Sequence, residues 1–346
     1  MPAAGGTMAL RQEAVSSAPP VPVWNGALPV TAVVCTRGRP DRLRRAIESL
    51  RAQTSPLTQI LVIDNAQPGE MGARRTVLEF EGVHYVQEPR PGLNIARNTG
   101  LRCATAPVVA FLDDGAMAES RWSERFFAAF VDPLVDVCTG RVDPLSIESE
   151  GAKLFEANGG FARGRRRIEL PRDASRALHG LPAPRIAWAV SVGSGCSFAV
   201  RRHAALAVGG FDERLDNGKD IPGGGDHDLM WRLLEAGASL VYEPAAIAWH
   251  EHRKHASDAL EQITGHQRAL LAFLTKTLRT APLRRKPVIA LFLVWRLVKP
   301  LARMAKRLIG RDALSVRELA RMELECVRGI TAYRRIARQP RLRRAR

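Results

Sequence analysis

The sequence predicts an α/β protein: a mostly parallel sheet flanked by helices, continued by a basic helical extension at the C-terminus. Three observations predict it. Apolar runs alternate with amphipathic stretches of helical spacing through the N-terminal third of the chain. The runs are apolar at nearly every position, not at every second one. Several of them end on a hydroxyl or an acid. Continuous apolar runs mark strands buried on both faces, as in parallel sheets covered by helices.

In chain order, residues 1–28 are rich in Ala, Pro and Gly and read as a disordered lead-in without a secretory signal. Residues 30–36 (VTAVVCT) read as the first strand and 39–53 as a helix. Residues 59–64 (QILVID) and 82–87 read as further strands, 94–103 as a helix, and 108–112 as a fourth strand running into Asp113 and Asp114. Ligands of such sheets bind beyond the carboxyl ends of the strands, where Thr36, Asp64 and Asp113 fall. From 142 to 189 the pattern loosens around several prolines and Arg163-Gly-Arg-Arg-Arg167, which suggests an insertion or flap; the arginine run is read as solvated. Regularity returns with an apolar run ending at Val200, a helix from Arg201, a helix over 228–236 and a strand over 239–242. Beyond Ser257 the chain reads as helical. Trp231 is read as a core residue. The divisions are thus 1–28, a globular unit at 29–256 with halves 29–141 and 142–256, and the extension 257–346.

Composition is ordinary for a globular protein, at 46% hydrophobic and 25% charged. The net charge of +17 is not, and it is concentrated: residues 281–346 hold 19 Lys and Arg against 4 Asp and Glu. Within them, 283–309 mixes large apolar residues with Lys and Arg, the pattern of a segment lying in the headgroup region of an anionic membrane. Aromatics are sparse and no nucleic-acid motif appears, so no nucleic acid is expected as a partner. The run VIALFLVW is too short to span a bilayer. Five scattered cysteines without C-x-x-C spacing exclude a zinc ribbon or disulfide framework and indicate a reducing compartment. The expected location is cytoplasmic, peripheral on the inner face of the cell membrane. No G-x-G-x-x-G follows the first strand, which argues against a dinucleotide oxidoreductase.

Three clusters carry the chemistry: Asp113-Asp114, Gly223-Gly-Gly-Asp-His-Asp228, and His250-Glu-His252. Carboxylates and imidazoles at strand ends suit a hard divalent cation that neutralises a phosphate leaving group. Asp226, at a helix start, reads either as a general base or as a helix cap. Asp113 and Asp114 read as site acids or as a solvated turn. Asp64 reads as an acceptor from a nucleobase or ribose, or as a loop cap. Arg37, Asn94 and Arg97 are candidate donors to phosphate or base.

The strings TAVVCTRGRPDRLRRAIESL, ILVIDNA, PRPGLNIARNTGLRCATAPVVAFLDDGA, GSGCSFAVRR, GGFDERL, GGGDHDLMWRLLEAG and YEPAAIAWHEH, in this order, resemble the inverting nucleotide-sugar glycosyltransferases of family 2. The resemblance covers about residues 29–252 and implies the GT-A fold, a Rossmann-like sheet with a nucleotide-sugar half (29–141) and an acceptor and base half (142–256). It implies donor binding by Thr36, Arg37, Asp64, Asn94, Arg97 and Asp113, with Asp113 toward the ribose. It implies Asp114 and His250 as ligands of Mn2+ or Mg2+, Asp226 as the base and Asp228 in support; His252 reads as a structural histidine or as a supporting phosphate donor. Two positions depart from the family: Gly115 stands where the metal-binding acid is usual, and Gly225 where a glutamate often precedes the base. Asp228 is read as the substitute carboxylate. The expected activity is transfer from a nucleotide diphosphate-sugar to a hydroxyl of a glycan or lipid-linked acceptor in cell-envelope polysaccharide synthesis. Two alternatives stay open. One is a degenerate transferase serving as a membrane-bound scaffold. The other is a sugar nucleotidyltransferase, for which the turn Thr36-Arg-Gly-Arg39 is a poor match.

Overall fold

The computed structural model describes residues 26–338 apart from 162, 171–176, 179–180, 183, 219, 311 and 313, so most of the expected lead-in lies outside the described residues. The N-terminal half runs β1 (Leu28–Thr36), α1 (Pro40–Arg51), β2 (Leu57–Asp64), α2 (Gly72–Leu78), β3 (Val83–Gln87), α3 (Leu93–Cys103) and β4 (Val108–Asp113). Within it β1 pairs in parallel with β2 and β4, and β2 with β3. All of β1 except Pro29 is buried. Successive residues point to opposite faces, so Val33 and Cys35 join one core with Ile63 and Phe111. Ala32 and Val34 join the other, with Leu43 and Ile47. Helix α1 starts with Pro40 in its first turn and buries Leu43, Ala46, Ile47 and Leu50, the spacing of one helical face.

The second half runs β5 (Ala116–Ala118), α4 (Trp122–Phe130), β6 (Val135–Pro144), α5 (Glu150–Ala157), β7 (Ile168–Leu170), β8 (Ala177–Leu178) and β9 (Leu181–Pro182). It continues with α6 (Arg185–Val192), β10 (Ser197–Arg201), α7 (Arg202–Ala207), α8 (Gly225–Glu235) and β11 (Ser239–His250). The sheet order is β3-β2-β1-β4-β10-β6-β11-β5, with β7 on β11. Strand β10 lies antiparallel between β4 and β6, whereas β6 and β11 are parallel. The stretch 142–189 is therefore not structureless: it carries α5 and α6 and adds β7 to the sheet. Strand β11 continues past Tyr242 to His250. Its register on β6 shifts between Glu243 and Ile247, where Pro244 lacks an N–H to pair; this interruption hid the strand's second half.

Helices α9 (Ala256–Thr280), α10 (Lys286–Leu308) and α11 (Val316–Ala337) follow. Leu270, Leu271, Phe273 and Leu274 of α9 are buried in the same core as Phe111 and Trp231. The first helix beyond the expected boundary at 256 is thus built into the sheet's packing.

Candidate active site

Strand β4 delivers its two acids to different places. Asp113 faces β11, its Oδ2 3.6 Å from His250 Nε2, and with Cys196 Sγ the three ligand atoms lie within 4.8 Å of one another. Asp114, one residue on, turns to the other side of the strand. It accepts from Thr36 Oγ1 at 2.9 Å and from Arg39 Nη1 at 2.9 Å. Asp114 is the acid expected to share a metal with His250; the geometry puts Asp113 beside that imidazole instead, because consecutive residues at the strand end turn to opposite sides. Burial and the neighbouring Asp113 charge push the Asp114 pKa up to about 6. For Asp113 burial acts upward too, but His250, Arg97 and Arg39 outweigh it and hold the carboxyl below its usual range. A side chain at Gly115 would begin 3.4 Å from His250 Nε2, so the usual acid there would meet the same imidazole.

Behind His250 lies a relay. His250 Nδ1 is 3.1 Å from His252 Nδ1, and His252 Nε2 is 2.8 Å from Glu156 Oε1 on α5. A carboxylate only accepts, so His252 Nε2 carries a hydrogen. Burial lowers the His252 pKa; in the neutral ring Nδ1 is then the acceptor, and His250 Nδ1–H is the donor. His250 Nε2 faces the Asp113 carboxylate at 3.6 Å, where a ring N–H or a bound cation would sit between them. Burial, then Asp113, raises the Cys196 thiol well above its ordinary pKa. Asp113 offers oxygen and His250 imidazole nitrogen, donors that fit Mn2+ or Mg2+. His252 is enclosed behind the imidazole, not aimed at a phosphate, so its support acts through His250.

On the other flank, Asp226 sits in the first turn of α8. Its Oδ1 accepts from the His227 N–H at 2.9 Å, and the Gly195 N–H also donates to it. The helix start itself is capped by another acid. Gly224 takes φ +89°, and the Gly225 N–H donates to Asp216 Oδ2 at 2.8 Å. A Cβ on Gly225 would overlap Asn94 and the Asp216 carboxylate. The glycines thus bring the helix end against Asn94 and Asp216 rather than against substrate, and Asp216 occupies the space a preceding glutamate would need. Asp216 has φ +52°, the only positive φ of a non-glycine among the described residues.

Arg97 ties these parts together. Its Nη2 donates to the Gly195 carbonyl at 3.0 Å, its Nη1 lies 3.7 Å from Asp216, and its guanidinium stacks 5.4 Å from the Phe211 ring centroid. Burial is the main influence raising Asp216 to a pKa of about 6, reinforced by Asp226 and only partly offset by Arg97. Burial also acts upward on Asp226, but His227, Arg97 and the two N–H groups prevail and keep it lowered. Asp226 is therefore ionised at neutral pH. A small recess between the flanks is lined by Cys35, Leu93, Arg97, Phe111, Asp113 and Gly195.

Several expected residues stand elsewhere. Asp228 is two residues along the helix, about 200° around its axis from Asp226. It is buried against Lys276 Nζ at 2.5 Å and Arg232 at 2.8 Å, so it is no substitute carboxylate. Asn94 is buried and donates to the carbonyls of Asp212 and Leu215 at 2.8 and 3.1 Å; it pins the loop that carries Asp216 and does not face the cleft. Asp64 is the register partner of Thr36 at the sheet's carboxyl edge. Its two oxygens accept from the Ala66 N–H and Tyr85 O–H, each at 2.9 Å. Arg37 is exposed at the same edge. In the arginine run Arg165 and Arg166 are exposed, but Arg167 pairs with Glu243 and Glu169, and burial lowers the Arg163 pKa.

Asp216, Arg39 and Glu156 were not picked out in the sequence. An acid between a tight turn and the glycine triplet is the one signal that could have flagged Asp216.

Comparisons with known proteins agree with this fold. The sequence profile of "Glycosyl transferase family 2" matches residues 31–207. A pre-mycofactocin glycosyltransferase of Mycobacterium tuberculosis is 32% identical over 236 residues, which cover 66% of this chain and 44% of that protein. The glycosyltransferase AglE of Haloferax volcanii is 22% identical over 237 residues, 65% of this chain and 67% of its own. The chain thus spans under half the length of the mycobacterial relative. Among solved structures, the mannosyltransferase PcManGT from Pyrobaculum calidifontis, in complex with GDP-Man and Mn2+, superposes with a TM-score of 0.55. It does so at 17% identity, over 90% of each chain.

Proposed function

The chain belongs to glycosyl transferase family 2, and from that premise we propose that it moves a sugar from a nucleotide diphosphate-sugar to an acceptor hydroxyl with inversion. The observation that carries the reading is one recess lined both by Asp113, which lies beside His250, and by Gly195, whose N–H donates to the ionised carboxylate of Asp226. Asp226 takes the hydroxyl proton as the acceptor oxygen bonds to the anomeric carbon. The bond from that carbon to the diphosphate oxygen breaks on the opposite face, and its electron pair leaves with the phosphate. Arg97 holds Gly195, and through it the orientation of Asp226. A divalent ion bound by Asp113 and His250 would supply charge neutralisation for the departing diphosphate. The Mn2+ of the mannosyltransferase neighbour supports that assignment. The acceptor class is a glycan or a lipid-linked sugar, and the place of action is the cytoplasmic face of a membrane where envelope glycan is built.

Thermal unfolding against UDP, GDP, dTDP and CMP, each with and without Mn2+, tests the proposal. A ligand at a hundred times its Kd adds about 2.7 kcal/mol. One nucleotide should stabilise the protein only with Mn2+. Asp226→Asn should keep that shift while losing transfer by on the order of 10²–10⁴-fold. No shift with any nucleotide would leave a scaffold role in its place, and undiminished transfer would remove Asp226 as the base.

A further inference from the structure

Helix α10 turns the wrong residues outward for a helix in water. Its inner side buries Ile289 and Pro300 and packs Leu293 and Leu297 against the core. Arg296 also turns in, to Gln267 at 3.0 Å, and Arg303 reaches Asp312 and Asn158 at 2.6–2.8 Å. The outer side carries Leu291, Val294, Trp295, Val298 and Leu301, which are 45–72% exposed, and Leu308 at 79%. At about 100° per residue these fall on one face. Lys299 and Lys306 are exposed at one border of that face, Arg284 precedes it, and the helix holds no acid. A surface helix ordinarily presents its polar face to solvent; this one presents a second apolar stripe beside a row of cations.

We propose that the outer face of α10 is a docking surface for an anionic phospholipid bilayer, on which the helix lies parallel to the membrane plane. Charge decides the occupant. A second copy packed face to face would bring two acid-free helices and their exposed lysines together. An anionic leaflet instead offers apolar depth to the stripe and phosphates to its cationic border. No described helix is long and apolar enough to cross a membrane, so the surface rests on the bilayer. The inference stands on α10 alone and needs no sugar nucleotide, so it survives or fails independently of the proposed reaction.

The test is cosedimentation of the full chain with vesicles of pure phosphatidylcholine and with vesicles containing one-third phosphatidylglycerol, at low and high salt. Binding should require the anionic lipid and weaken with salt. Lys299→Gln/Lys306→Gln should reduce it roughly 30-fold, from about fivefold per surface cation. Leu291→Asn/Trp295→Asn, at exposed positions that leave the core intact, should abolish it while far-UV dichroism and melting stay as in wild type. Equal binding to both vesicle types, or no binding, overturns the proposal. So does full binding by the Leu291/Trp295 variant, or a dimer in light scattering that this variant dissociates.

Discussion

Asp216→Asn separates the stability of this site from its purpose. The Asp216 carboxyl is pushed from 3.8 to about 6, chiefly by burial. A carboxyl whose folded pKa is raised takes up a proton more readily in the folded protein. Its contribution is therefore complete below the unfolded value of about 4 and is lost as pH rises to about 6. A shift of about two units corresponds to about 3 kcal/mol of destabilisation at neutral pH. Asparagine keeps an acceptor for the Gly225 N–H, tolerates the φ of +52° and carries no charge at any pH. In EDTA, melting of the variant and of wild type should run in parallel near pH 4. By pH 7 the variant should gain on wild type by on the order of 5 °C. The same variant should transfer sugar more slowly, since Arg97 loses one of the groups that hold it, a familiar exchange of activity for stability. A difference between the two proteins that does not change with pH would refute the reasoning, because no other group distinguishes them.

Glu156→Ala removes the acceptor that fixes the His252 tautomer and should weaken Mn2+ binding about 10–100-fold, read by calorimetric titration. Gly195→Ala places a methyl 2.8 Å from Arg97 Nη2 and 2.9 Å from Asp226 Oδ2; transfer should fall well below wild type while nucleotide-dependent stabilisation persists. Lys276→Met leaves Asp228 and Asp212 short of their shared cation and should destabilise by about 3 kcal/mol, measured by denaturant unfolding. Wild-type stability in that variant would mean that Arg232 alone satisfies Asp228.

The fold was legible because β1, β2 and β4 are buried on both faces and write that fact as unbroken apolar runs. Asp64 and Thr36 fall side by side at the sheet edge as their positions after those runs imply. Which of Asp113 and Asp114 would lie beside His250 was not legible: the two acids are consecutive, and nothing local says which face His250 will share. Asn94 and Asp228 look like site residues in sequence, yet their partners, Leu215 and Lys276, come from distant turns and helices that spacing does not connect. Gly225 reads as a missing carboxylate until Asp216 is seen against it, nine positions earlier and held there by the Gly225 N–H and Arg97. Strand β11 was cut short at Pro244, and α5 and α6 were hidden by prolines that mark turns but not what lies between them.

Gly195 and Cys196 stand in sequence between the two acids of the cleft. One residue donates its N–H to Asp226 and accepts from Arg97; the next gives its carbonyl to the Asp113 N–H at 2.9 Å. The two halves of the cleft are therefore gauged from two consecutive residues just before β10. Loops around the rim can change length and sequence without altering the separation between Asp226 and Asp113. Variation in specificity and constancy of reach are assigned to different stretches of the chain.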